Sequence, residues 1–305
     1  MCPMQVADAT PLVLSPQTFR RYAFVNVFAL WVIVTTGATV RLTASGLGCE
    51  HWPGCTASNP FPEKDYHSFI EFGNRVVSAA TIAITLLVWV GSLITPYLPR
   101  WARWLAGATF FGTLAQAPLG AITVYAGLHP LLVMTHFLLA LAVLAAGVIV
   151  AVEAVRLELG PAREPLPRPA RTGALVMVAA CLALVVTGTI ATAAGPHPGS
   201  ADVSRLWHLH AAVYVHVRAT AVFGVTFLVL AVYLWRRRER WPVLVEGTAI
   251  VLGILILQMA IGELQYRTHL PWGLVLVHVS IASALWASVV ALASLLRRPI
   301  ATVSP

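Results

Sequence analysis

The sequence predicts an all-α integral membrane protein whose eight transmembrane helices form two repeated four-helix bundles. Three observations predict it. Of the 305 residues 58% are hydrophobic and only 10% charged, and the mean hydropathy is +0.80, far from the mixture a soluble domain needs. Apolar runs of about 20 residues, the length that crosses roughly 30 Å of hydrocarbon, recur along the chain. Landmark residues also recur at a fixed offset: Gln116, Gly120 and His136 reappear as Gln258, Gly262 and His278, each 142 positions later.

The spans, in order, are Phe24 to Val40, Phe69 to Ile94, Trp101 to Val124, Leu131 to Val152, Thr172 to Ala193, Leu206 to Trp235, Val243 to Ile261 and Gly273 to Leu296. Basic residues fill alternate gaps between them. Arg20 and Arg21, Arg100 and Arg103, the four arginines from Arg156 to Arg171, Arg236 to Arg238 with Arg240, and Arg297 with Arg298 make up 14 of the 20 Lys and Arg. The positive-inside rule then puts both termini and these loops in the cytoplasm, in a cell-membrane protein that crosses many times. The formal charge of +8 is explained by this asymmetry, so nucleic acid is not an expected partner. The residues before the arginines lack an apolar core, and no cleavable signal peptide is expected.

The repeat divides the chain. Thr35 to Val40 (TTGATV) echoes Val186 to Ala191 (VTGTIA) at an offset of 151, the change from 142 reflecting a longer first outer loop. Two parallel repeats related by an axis along the membrane normal follow. The expected organisation is a cytoplasmic tail (1–20), a first bundle (21–156), a Pro- and Arg-rich cytoplasmic linker (157–171), a second bundle (172–298) and a tail (299–305).

The outer loop after the first span reads GLGCEHWPGC and carries Cys49 and Cys55. Outside the cytosol a bridge between them is chemically permitted. It could staple the loop or act as a redox pair; a metal site would need more ligands than the nearby His51 provides. Cys2 and Cys181 are expected to be free thiols.

Ionisable side chains within hydrocarbon are costly and mark functional sites. His136 and His278 lie a similar distance into helices 4 and 8, roughly 10 Å below the outer surface. Of the helix 6 histidines His208, His210 and His216, only His216 is deep enough to meet His278. Two imidazoles on facing helices at one depth can supply both axial ligands of a heme. At the matching place in the first half stands Asn74, with Glu71 and His67 one and two turns earlier on helix 2. The second bundle therefore reads as a permanent heme site and the first as a more open site for chemistry. Arg75 and Arg218, and Arg41 and Arg205 at outer helix ends, are candidates to pair with porphyrin propionates or to snorkel to headgroups. A di-heme electron-transfer protein and a repeat-built transporter are the other classes compatible with this pattern. Pro118 is the intramembrane proline that hints at the broken helix a transporter would want.

VRLTASGLGCEHWPGC, IEFGNR, the GPH after helix 5, and the paired Q-x-x-x-G with its downstream His resemble heme A synthase through all eight helices. The resemblance implies an oxidoreductase of aa3-type oxidase biogenesis that converts heme O to heme A, oxidising a ring methyl to a formyl group through hydroxylated intermediates. It implies heme B iron held by His216 and His278, heme O iron on His136, a catalytic Glu71, and a Cys49 and Cys55 pair linked to heme O handling or electron transfer. Candidate partners are the heme O substrate, membrane lipid, the farnesyltransferase that makes heme O, an electron acceptor and a further copy of the chain. Two departures stand out. Many relatives have E-x-x-H on helix 2 where this chain has Glu71 and Asn74, leaving His67, water or no ligand opposite His136. The loop after helix 5, GPHPGSADVSR, also lacks the second cysteine pair that some members carry.

Overall fold

A computed structural model describes residues 13–49, 51, 54–58, 61–62, 65–161, 166–199 and 205–300. Cys2, most of both expected tails and the middle of the expected linker lie outside these residues. Among the described residues the structure is all-helical: α1 (Pro16–Leu42), α2 (Tyr66–Ile94), α3 (Arg100–Tyr125), α4 (Pro130–Leu159), α5 (Arg168–Ala194), α6 (Leu209–Trp235), α7 (Pro242–Arg267) and α8 (Trp272–Arg297). All eight are long and apolar enough to cross a membrane. The chain is thus a multi-pass membrane protein, the arrangement in which every backbone polar group is satisfied within its own helix.

The helices extend the expected spans because their caps lie in the polar flanks. Ser15 accepts from Thr18 N ahead of α1, and Asp65 accepts from His67 N and Ser68 N ahead of α2, each satisfying amides that the first turn leaves over. Proline enters the first turn of α1, α4, α5 and α7, where its missing N–H costs nothing. At their far ends α4 reaches Leu159 and α5 starts at Arg168, so helix occupies both ends of the expected linker. Helix α3 runs unbroken through Pro118.

Helices α1 to α4 pack in a ring, α1 on α2, α2 on α3, α3 on α4 and α4 on α1; α5 to α8 repeat the order. Between the halves α4 touches α5 and α8, and α8 touches α1. Two tryptophans pin this junction: Trp31 Nε1 donates to Ser280 O and Trp286 Nε1 to Leu141 O, both at 2.9 Å. Small residues let the helices approach. A Cβ on Gly147 of α4 would come within 2.8 Å of Leu30 Cδ1 and 3.3 Å of Asn26 Nδ2 on α1.

The same helix ending also occurs twice, 142 residues apart. Gly127 and Leu128 after α3, and His269 and Leu270 after α7, all have positive φ. Leu128 N returns to Thr123 O and Leu270 N to Gln265 O, the closing bond of a Schellman cap.

Packing is uneven along the helices. The fully buried side chains, among them Phe19, Leu144, Phe223, Phe227, Val289 and Leu296, gather toward the arginine-rich face. Toward the opposite face, which carries the cysteine loop, the interior opens. Replacing Gly147 by Val should separate α1 from α4 and cost about 1–3 kcal/mol, read as a lower thermal unfolding midpoint in detergent; an unchanged midpoint would show that this approach is not tight.

Candidate functional site

The open part of the interior is a cavity of about 570 Å³ in the first half, within the roughly 300–1,000 Å³ of small-molecule and cofactor sites. Its walls are mostly apolar, and Glu71, Asn74, Gln116, His136, Arg41 and Thr192 bring polar atoms to it. Thr192 belongs to α5, so the second half closes one wall.

His136 lies six residues after the start of α4, about 9 Å down the helix axis. Its backbone carbonyl accepts from Gln116 Nε2 at 3.2 Å. A Cβ on Gly120 of α3 would be 3.4 Å from the ring Cε1, so glycine there lets the imidazole seat against the helix. Nδ1 is buried without a partner among the described residues. Nε2 makes no hydrogen bond to the described residues, and His136 lines the cavity.

The second half repeats the construction. Gln258 Nε2 donates to His278 O at 3.0 Å, Gly262 would place a Cβ 3.1 Å from His278 Cε1, and His278 Nδ1 is likewise buried without a well-formed hydrogen bond, the Gln258 backbone carbonyl being its nearest acceptor. Facing it, His216 of α6 seats on Gly188 of α5, where a Cβ would be 2.9 Å from Cε1. Thr187 Oγ1 lies 3.3 Å from His216 Nδ1. The two imidazoles are near enough to interact electrostatically. In the first half the seat equivalent to Gly188 is Gly37, and what faces it is Asn74 Oδ1 at 4.0 Å from a Cβ there. Thr36 Oγ1 donates to that oxygen at 2.8 Å. The glycines of TTGATV and VTGTIA were the sequence signal for these seats, unread until the helices were packed.

Glu71 is buried at 5% exposure and anchors the cysteine loop. Its Oε2 accepts from Cys49 N at 2.8 Å and its Oε1 from Arg75 Nη2 at 2.5 Å. Arg75 Nη1 also donates to His51 O and Gly54 O, at 2.7 and 2.6 Å, and Ser68 Oγ donates to Gly48 O at 2.7 Å. Cys49 and Cys55 are disulfide-bonded, with Cα atoms 4.4 Å apart. Cys181 is a buried free thiol, and no group of three or more His, Cys, Asp or Glu suited to a metal ion occurs among the described residues.

The remaining candidates sit elsewhere. His67 is exposed, with Nδ1 3.0 Å from Ser45 Oγ, and it does not line the cavity. Arg218 is exposed and stacks on Tyr214, its guanidinium carbon 4.7 Å from the ring centroid. His208 precedes α6 as its cap residue, and His197 Nε2 lies 2.8 Å from Leu270 O.

Two tests follow from the loop. A Cβ on Gly48 would meet His67 C and O at 2.6 Å, a backbone clash that nothing flexible relieves. Gly48→Ala should lift the loop from α2 and speed reduction of the disulfide by a mild thiol; an unchanged reduction rate would show the loop is not clamped there. Asp65 is held below its ordinary value of 3.8, chiefly by the Ser68 amide. A depressed carboxyl contributes stability above its unfolded pKa, lost as pH falls through the folded value. The His67 and Ser68 amides should therefore exchange faster only below about pH 3.8; protection already lost at higher pH, or unchanged in Asp65→Ala, would remove Asp65 as the cap.

Comparison with known proteins places the chain in a family. A family model described as cytochrome oxidase assembly protein matches residues 20–67 and 60–290. The chain is 36% identical over 124 residues to the heme A synthase of Symbiobacterium thermophilum, a match covering 40% of each chain. It is 32% identical over 123 residues to that of Bacillus pumilus, covering 39% of each. A longer match, 24% identical over 283 residues, covers 88% of this chain and 89% of the heme A synthase of Geobacillus kaustophilus. The two shorter matches span about 40% of those relatives' length. The family model extends over nearly all eight helices, and the chain belongs to the cytochrome oxidase assembly protein family.

Proposed function

We propose that this chain is a heme A synthase, a membrane oxidoreductase that takes heme O as substrate and oxidises one ring methyl to a formyl group, supplying heme A for cytochrome oxidase assembly. The observation that carries the reading is one cavity holding both an imidazole with Nε2 available, His136, and a buried carboxylate fixed by two donors, Glu71. The matched contacts of the two halves support reading them as copies of one unit. The arginine distribution supports placing both termini in the cytoplasm, with the cavity beneath the outer surface.

In this reading His136 offers its Nε2 to the substrate iron. The net change, methyl plus water to formyl, releases four electrons and four protons, with water as the oxygen source and an acceptor on the outer side receiving the electrons. Positive charge developing at the methyl carbon gains from the Glu71 carboxylate, since electrostatic stabilisation is strongest where water is excluded and the stabilising group is already oriented. Cys49 N–H and Arg75 do that orienting, and the carboxylate retains lone pairs to accept a proton. Asn74 stands where a second imidazole would complete a pair. This supports His136 as the residue that would hold the substrate iron, with the chemistry at the ring methyl left to Glu71.

The second half fits a resident heme B. His216 and His278 are seated on glycines, lie within electrostatic reach of each other, and make no Nε2 hydrogen bond to the described residues. A heme bound there supplies one-electron chemistry.

Glu71→Ala should leave heme bound and lower heme A formation at least about hundredfold, measured by pigment analysis of cells fed heme O; a normal rate removes Glu71 from the mechanism. His278→Met should abolish or shift the low-spin spectrum of the purified protein, and an unchanged spectrum argues against the second-half site. Extracted pigment separates the competing classes: heme O or A with heme B supports the synthase, heme B alone an electron-transfer protein, and no pigment a transporter.

A further inference from the structure

The first-half cavity contains a cation that its own carboxylate does not neutralise. Glu71 is paired with Arg75, whose guanidinium also holds the loop carbonyls of His51 and Gly54. Arg41, at the last turn of α1, lines the same cavity. It forms no ion pair with a carboxylate of the described residues. Its Nη2 donates to Thr192 O on α5 at 2.7 Å, and its stem lies against Gly199, where a Cβ would be 3.7 Å from Arg41 Cγ. Its Nε is buried with no acceptor. Arg205 is close enough to add to the positive potential there.

A buried guanidinium with a donor left over is costly unless an anion meets it. The fork has five N–H donors, and the Thr192 carbonyl takes one. What remains suits a carboxylate, bound in the short charge-assisted geometry that arginine favours. Of the other outer arginines, Arg75 is engaged on Glu71 and the loop, Arg218 is exposed on Tyr214, and Arg205 is exposed and donates to Pro196 O. We infer that Arg41 receives a carboxylate of the tetrapyrrole substrate at the cysteine-loop end of the first-half cavity, an assignment that rests on the heme A synthase reading. Because Thr192 and Gly199 orient Arg41 from the second half, substrate recognition depends on how the two halves dock.

The test is a spectral titration of purified full-length protein with heme O and with heme O dimethyl ester, in which both carboxylates are capped. The first-half component is the part lost in His136→Ala. Wild-type protein should bind the free acid at least about tenfold more tightly than the ester. Arg41→Gln should erase that preference by weakening the acid, with ester affinity held within about twofold, a pattern that loss of a purely structural contact would not produce. If Arg41→Gln fails to fold, Arg41→Lys carries the test: replacing the fork by a point charge should cut the preference by at least about threefold. A wild-type preference retained in the variant, or equal binding of acid and ester by the wild type, overturns the Arg41 assignment. Wild-type protein that binds neither compound overturns the heme A synthase reading itself.

Discussion

A polar side chain inside hydrocarbon must find its partner within the protein, and this constraint organises the molecule. Most polar groups in the spans meet it locally. Threonines and serines such as Thr81, Thr113 and Ser280 bond back to a carbonyl one turn earlier, and Trp31 and Trp286 bond across the junction of the halves. Among the groups that do not close on themselves, the Nδ1 atoms of His136 and His278, the Oε1 atoms of Gln116 and Gln258, and Arg41 Nε lie toward the cysteine-loop end, whereas Asn26 Oδ1, Arg103 Nε and Arg156 Nε lie toward the arginine-rich end. The glycine seats explain how the imidazoles come to lie there, since any side chain at Gly188 or Gly262 would push the ring off its neighbouring helix.

At the glycine seats the two halves differ in the side chain that faces them. Gly188 faces an imidazole and Gly37 faces an amide, while the backbone around each is built alike, down to paired left-handed residues after α3 and α7. In the first half the space beside Asn74 is part of a cavity, and Glu71 enters it tied to the cysteine loop. The first half thus presents an open pocket with a carboxylate, the second two imidazoles each seated on a glycine, and the Asn74 amide oxygen is satisfied by Thr36.

The cysteine loop is part of the site's architecture. Its contacts with α2 run through Gly48, Cys49, His51 and Gly54 to Ser68, Glu71 and Arg75. The carboxylate that lines the cavity is the same one that receives the loop's amide. Loop geometry and carboxylate orientation therefore cannot be changed independently.

By itself the sequence determined the eight spans, their side-to-side charge asymmetry, and the landmarks His136, His216, His278 and Glu71, because span length, charge and spacing are local properties that hydrocarbon enforces residue by residue. It also showed Cys49 and Cys55 close enough to bridge, though not that the bridge closes beside Glu71. Only the tertiary structure decided which candidates share a cavity. His67 and Glu71 are one turn apart, yet the loop folds against α2 so that Glu71 is buried and His67 is left on Ser45 outside. Arg41 and Arg75 were both candidates in the sequence, and packing paired Arg75 with Glu71 while leaving Arg41 on the cavity wall without a carboxylate partner among the described residues. Such distinctions depend on contacts between segments far apart in the chain, set by how closely helices approach at glycine, and no local pattern encodes that distance.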